Sequence, residues 1–397
     1  MTKDSPSMDF DGVKQHFDEE LARARRELGT VNIAVFGNTG VGKSTLLNAV
    51  FGVELAATGT GDSVTDHIQY HGREGEPLGI FDTPGFEIGG AERTLLREIT
   101  QMFADNRKRP IAERIHVVWF VENAQGHRFV DSSAAIVSHL ASFGVPVMLI
   151  LTRVRKTPAG TLTRATTELV DSIRARGLPT TPSGEVFTVN ALADEELGDP
   201  AHGLTELLDA TFRAVPTEVH DALTAAQRLD LERKRRAARA IVNRFALTSA
   251  AAGATPIPFA DLALVTAAVT RMFAQISAAY GVPIQKRQLA KLAAAVLVTG
   301  GAAGATSAAV VKMSAKQIAK LTAGKALMAS GRLVPVMNVV IAAAAGASAA
   351  VVAKSAGHAW ARVCEHMLTH PRSVEGDGID PAAIEVFAED FGRRSRT

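Results

Sequence analysis

The sequence predicts an α/β domain with a mainly parallel sheet, joined to a C-terminal all-α domain, and three observations carry this. Short apolar runs rich in β-branched residues recur between helix-compatible segments up to about residue 212, the alternation expected of a parallel sheet with helices on both faces. From about residue 241 to 361 the chain becomes Ala-, Gly- and Val-rich with sparse charge. Its 397 residues also exceed one domain of ordinary size, about 100–200 residues. The divisions that follow are an N-terminal helical segment 1–27, the α/β domain 28–215, a linking basic helix 216–240, the helical domain 241–370 and a tail 371–397.

Charge and cysteine content narrow the function classes. A net charge of +2 supplies no global basic field, so no specific nucleic-acid partner is indicated. The single cysteine, Cys364, rules out an internal disulfide framework and fits a reducing compartment. Cys364 with His358, His366 and His370 lacks the paired spacing of a zinc site. The first residues, "MTKDSPSMDFDGVKQHFDEELARARREL", carry acids throughout and no apolar core of the kind a secretory signal needs. The expected location is the cytoplasm, with association at the cytoplasmic membrane left open.

The first apolar run, "VNIAVF" from Val31 to Phe36, reads as a buried strand. It is followed by "GNTGVGKST" and a helix starting near Gly42 with Leu46, Leu47 and Val50 inward. Gly37, Gly42, Lys43 and Ser44 fit G-x-x-x-x-G-K-[ST] in the strand–loop–helix setting that this motif requires. Glycines let backbone amides turn toward phosphates, the helix N-terminus adds a positive dipole end, Lys43 reaches the β and γ phosphates, and Ser44 offers its hydroxyl to Mg²⁺. The next runs are an edge strand at 67–71 and the strand Leu78 to Phe81, which is followed by "DTPG" at Asp82, Thr83, Pro84 and Gly85. An acid at the carboxyl end of a parallel strand stands where such sheets place ligand groups. Three more runs complete the sheet, at 115–120, 146–151 and 186–189.

Together these residues resemble the G domain of P-loop GTPases of the translation-factor-related class, which includes Era-like proteins, septins and immunity-related GTPases; the resemblance covers about residues 28–212. It implies GTP or GDP as ligand and Mg²⁺ as cofactor. The phosphates would be held by Gly37, Asn38, Thr39, Gly40, Val41, Gly42, Lys43, Ser44 and Thr45, with Asp82 and the Gly85 amide beside them. Ser44, Asp82 and a switch threonine would hold the metal; of Thr58, Thr60 and Thr65, Thr65 is chosen because it directly precedes the edge strand, and with Lys43 it is assigned to catalysis.

In this family the fifth strand delivers the guanine motif N/T-K-x-D, and "LTRVR" places Thr152 and Arg153 at its first two positions. Asn190 and Ala191 in "VNALAD" stand where the last family motif meets the base through a backbone amide. Arg155 occupies the Asp position. A carboxylate there accepts from guanine N1–H and the 2-amino group, whereas a guanidinium only donates. Three readings follow: another acid such as Asp194 serves the base, selectivity for guanine is relaxed, or nucleotide binding is partly lost. The second is the one adopted.

Phosphoryl transfer needs positioned water and neutralised charge. Ras-like members carry a glutamine directly after D-x-x-G, and here that position is Phe86, which cannot orient water. Hydrolysis is therefore expected to be slow, with Asn38, Arg128 or a residue donated across a homodimer as helper. Beyond residue 216, "PTEVHDALTAAQRLDLERKRRAARAIVNRF" reads as one helix whose basic run 233–239 forms either a solvated face or a contact with anionic head groups. The segment "TPIPFADLALVTAAVTRMFAQISAAYGV" resembles the YcjF-like helical domain of unknown function that follows a G domain in many bacterial proteins. Residues 292–311 and 333–353 carry no charge and have the length of a membrane span, but Ala, Gly, Pro335 and Asn338 make them weakly hydrophobic. They read as a buried hairpin, with a membrane surface left open as partner. The function expected is a switch that hydrolyses GTP slowly and moves the helical domain; a non-hydrolysing scaffold, an ATPase and a membrane-associated GTPase are the alternatives.

Overall fold

The computed structural model describes residues 10–52, 62–63, 68–73, 75–82, 92–194, 199–253, 262–282, 349–370 and 381–394. The chain forms two compact units, one from Leu28 to Asp230 and one from the two flanking segments, Met1–Glu27 and Leu231–Thr397.

The first unit is built on a seven-stranded sheet. Its strands are β1 (Val31–Phe36), β2 (Asp62–Ser63), β3 (Gln69–His71), β4 (Leu78–Asp82), β5 (Val117–Asn123), β6 (Val147–Thr152) and β7 (Val186–Thr188), in the order β2-β3-β4-β1-β5-β6-β7. From β4 to β7 every neighbour is parallel, and β2 and β3 add an antiparallel edge. Side chains alternate along each strand, so an apolar run buried on both sides feeds two cores. Val31, Ile33 and Val35 join the core shared with α2 (Lys43–Phe51), α6 (Leu204–Ala214) and α7 (His220–Ala226). Ala34 and Phe36 join the opposite core, with α3 (Glu92–Lys108), α4 (Asp131–Ala141) and α5 (Arg164–Arg174). This is the doubly covered, mainly parallel sheet that the sequence predicts.

Two local readings are corrected. The run 115–120 starts two residues late as a strand and extends to Asn123, because polar groups take the first positions. The Ile115 amide donates to Asn106 Oδ1 at 2.8 Å, and the His116 Nδ1 accepts from the Asn32 amide at 2.9 Å. The single helix expected from residue 216 is two helices, α7 and α8 (Leu231–Gly253), without a glycine or proline between them. Gln227 breaks it: its buried amide donates to the Asp230 carbonyl at 2.9 Å and accepts from the Asp230 amide at 2.7 Å, so a side chain closes the turn. Val219, Ala222 and Leu223 of the first piece lie in the sheet's core, which carries this unit past the composition change near residue 216.

His116 makes the stability of this unit depend on pH. Its Nε2 donates to the Ile111 carbonyl at 3.0 Å while Nδ1 accepts, and burial pulls its pKa below the ordinary histidine value. The unfolded chain therefore takes the proton first. Stability is full above about pH 6.5 and falls as pH drops toward the lower folded-state value. Urea unfolding between pH 7.5 and 5.5 should show this loss, and His116→Gln should reduce the slope. A remainder is expected from His202, which burial also lowers.

The P-loop helix α2 ends on Gly52 at φ +66°, where an added Cβ would stand 2.1 Å from the Arg228 guanidinium carbon. Arg228 is anchored by its own amide, which donates to the Val50 carbonyl at 2.8 Å, and its charge faces the negative end of the helix dipole. Gly52→Ala should cost about 1–2 kcal/mol from left-handed strain alone. The check is urea unfolding followed by Trp119 emission in a Trp360→Phe background; a loss below a few tenths of a kcal/mol would contradict it.

The second unit is helical: α1 (Phe10–Leu28), α8, α9 (Leu262–Tyr280), α10 (Ala349–Thr369) and α11 (Pro381–Arg394). Its centre is Trp360, stacked on Phe273 at 4.5 Å, edge-on to Phe17 at 6.3 Å, and donating from Nε1 toward the Phe273 carbonyl at 3.0 Å and Ser277 Oγ at 2.9 Å. The basic run is not a uniformly solvated face. Lys234 is fully buried and donates to the Tyr280 carbonyl at 2.8 Å, and Arg235 pairs with Glu365 and Glu232. Cys364 is buried, its thiol pushed up to about 12 by desolvation; among the described residues no cluster of His, Cys, Asp and Glu could hold a metal ion. Among the same residues no helix is long and apolar enough to cross a membrane, and 292–311 and 333–348 lie outside them.

Candidate functional site

The site lies at the carboxyl edge of the parallel strands, where loops leave β1, β4, β5, β6 and β7. After Phe36 the chain turns through Gly37, whose added Cβ would stand 2.2 Å from the Val121 carbonyl oxygen, so the loop lies directly on β5. Gly40 and Gly42 take φ +76° and +101°, values that favour glycine. Gly42 is the N-cap of α2 and no side chain caps that end, which presents the first amides of the helix to an anion.

Lys43 is folded back into this loop. It is 8% exposed, and Nζ donates to the Gly37 carbonyl at 2.8 Å and the Asn38 carbonyl at 3.2 Å. An ammonium has three protons, so two hold the loop and one remains for a ligand. Burial pulls its pKa below the ordinary lysine value, and the Asp82 carboxylate opposes that shift. Lys43 and Asp82 thus feel one another across the end of β1 and β4, whose register pairs Val35 with Asp82. Ser44 and Thr45, the next residues of α2, are exposed. The buried Oδ1 of Asn38 meets no donor among the described residues. Hard oxygens at Ser44 and Asp82, a cation and a buried unused acceptor beside them make a donor set that suits Mg²⁺ and phosphate. Thr65, Gly85 and Phe86 lie outside the described residues, as do Thr58 and Thr60.

The turn after β6 is tied to the same loop. Thr152, 2% exposed, donates its hydroxyl to the Val41 carbonyl, and Arg153 Nη2 donates to the Gly40 carbonyl at 2.8 Å. Arg153 takes φ +53°, an uncommon backbone for a residue with a side chain, and this lays its stem over the P-loop. Val154 is buried, its amide on the Val189 carbonyl at 3.1 Å, and its carbonyl accepts from His202 Nε2 at 3.0 Å. Asn190 pairs by its backbone with His202 at 3.0 and 2.9 Å and donates from Nδ2 to Pro200 at 3.2 Å; Ala191 is half-buried beside it. The structure therefore brings residues 37–45, Asp82, Thr152, Arg153, Asn190 and Ala191 to one edge. Arg128 is exposed in the loop between β5 and α4, and Asp194 is exposed with its backbone paired to Asp199.

Sequence reasoning missed the partner of Arg155. Its Nε lies 3.2 Å from Asp199 Oδ2, an acid 44 positions away that no local pattern links to it.

Residues 32–153 match the model of the family described as 50S ribosome-binding GTPase, and residues 218–375 match a domain of unknown function, DUF697. The first match runs from β1 to Arg153, the second from the end of the sheet unit into the helices. A probable GTP-binding protein EngB of Hyphomonas neptunium is 28% identical over 36% of this chain and 64% of its own length, so the matched stretch spans less than two thirds of that relative. GTPase Era of Bordetella pertussis is 40% identical over 18% of this chain and 26% of its own. A crystal structure of a probable GTP-binding protein engB aligns at 16% identity with a TM-score of 0.32, covering 46% of this chain and 98% of that one.

Proposed function

Because the chain carries a translation-factor-related P-loop G domain followed by a helical domain, we propose that it binds GTP, hydrolyses it slowly with Mg²⁺, and acts as a switch on its helical unit. The observation that carries this reading is Lys43 held between the Gly37 and Asn38 carbonyls, with uncapped helix amides around it. The α2 amides and the third Lys43 proton bind the β and γ phosphates. Ser44 and Asp82 would hold Mg²⁺, which when bound neutralises charge on the phosphate oxygens. Thr65 and the Gly85 amide, both outside the described residues, would be the further ligands of the γ phosphate that the resemblance implies. Arg153 and Thr152 fix the surface on which the base lies, with the Ala191 amide at its edge.

Asn38 would be the helper, its Oδ1 accepting a hydrogen bond from the attacking water and so orienting it. An amide oxygen is a weak base and Phe86 cannot help it, so turnover should be slow, roughly 10⁻³ s⁻¹ or below without a partner. Single-turnover phosphate release from GTP, with Mg²⁺ and with EDTA, tests this. Slow, Mg²⁺-dependent release that disappears in Lys43→Ala is expected. Release no faster than in that variant would leave a nucleotide-binding scaffold instead.

A further inference from the structure

We infer that Asp199 is the carboxylate that reads guanine in this protein, and that Arg155 is the positioning residue that holds it. This deepens the reading of the base site and rests on it. The turn after β6 places Arg155 where an acceptor for guanine N1–H and the 2-amino group belongs, and a guanidinium has no lone pair to give. The chain that follows β7 brings an acid back to that spot. Val189 continues the ladder with its amide on the Leu151 carbonyl at 2.8 Å. Asn190 and His202 then pair in both directions, and so do Asp194 and Asp199, at 2.8 and 2.9 Å. The His202 ring fastens this return to the Val154 carbonyl at 3.0 Å. Asp199 is thereby fixed at its backbone, next to the turn whose first two residues already bind the P-loop.

The contact is of the right form for such a role. Arg155 Nε lies 3.2 Å from Asp199 Oδ2, and the Asp199 side chain is 17% exposed while that of Arg155 is 54% exposed. The carboxylate is steadied and largely shielded from water, the setting in which a base lacking the matching donors is rejected most strongly. An ion pair this exposed on one side adds little to stability. Precise placement of Asp199 is what it can supply.

The test exploits the difference between a carboxylate and an amide. Asn in place of Asp offers one acceptor and one donor, which matches xanthine, with its N1–H and its oxygen at position 2, and mismatches guanine. Calorimetric titrations of the full chain and of Asp199→Asn with GDP, xanthosine diphosphate and ADP in Mg²⁺ should show GDP at least tenfold weaker and xanthosine diphosphate at least tenfold tighter in the variant, with ADP unchanged. Arg155→Ala should lower the GDP-to-ADP preference without creating one for xanthosine diphosphate. If the parent binds GDP and Asp199→Asn leaves all three affinities unchanged, or weakens all three equally, the assignment of Asp199 fails and the proposed function stands. If the parent binds no guanine nucleotide, the proposed function itself fails.

Discussion

Lys43→Ala is expected to weaken GTP and GDP binding by about 100-fold or more. Charge-assisted hydrogen bonds contribute about 1.5–3 kcal/mol each, and about 2.8 kcal/mol corresponds to two decades of affinity. The substitution removes the proton that would reach the phosphates together with both bonds that fold Gly37 and Asn38 around them. The Gly37 carbonyl it leaves behind is buried, and a buried acceptor without a partner costs about 1–3 kcal/mol, so some stability should be lost beside the affinity. Calorimetry gives the affinity, and urea unfolding followed by Trp119, buried in β5 of the same unit, gives the stability. Nucleotide affinity within threefold of the parent would mean that Lys43 serves the loop alone.

Phe17→Ala should destabilise the helical unit by about 3–5 kcal/mol, the range for emptying a buried aromatic site. Phe17 is 0% exposed and packs edge-on against Trp360, while Leu21 and Ala24 of the same face of α1 are 2% and 4% exposed. Two polar links accompany that face, Arg271 to Glu20 at 3.5 Å and Arg25 to the Val282 carbonyl at 3.5 Å. The helix that opens the chain thus completes the core of a unit whose other helices begin at Leu231. The sequence holds two tryptophans, one in each unit, so Trp360 emission in a Trp119→Phe background reports the helical unit alone. A loss under about 1 kcal/mol would show that α1 is an accessory rather than part of that core.

Both results turn on how far apart in sequence the decisive contacts lie. The P-loop and the sheet were legible because their signals are local. Glycines at 37, 40 and 42 stand at backbone angles that favour glycine, and β-branched runs buried on both faces can only be inner strands of a covered sheet. The corrections all come from polar side chains that bond to backbone groups. Gln227 closes a turn without glycine or proline, and His116 occupies an amide that would otherwise extend the β5 pairing. Lys234 disappears from a basic run because the Tyr280 carbonyl lies opposite it. The same holds at the site. Spacing alone singles out Lys43, Ser44 and Asp82 as candidates, while Asp199 is joined to Arg155 by a strand return that no local pattern encodes. For the same reason α1 looked like a separate N-terminal segment, since its amphipathic face does not say which core it completes.

Titration of nucleotide-free full-length chain with GDP and with ADP in Mg²⁺, by calorimetry, tests the central claim most directly. The account predicts Lys43-dependent binding of GDP at least tenfold tighter than that of ADP, with guanine read despite the arginine at position 155. Equal affinities, or no heat from either nucleotide, would contradict it.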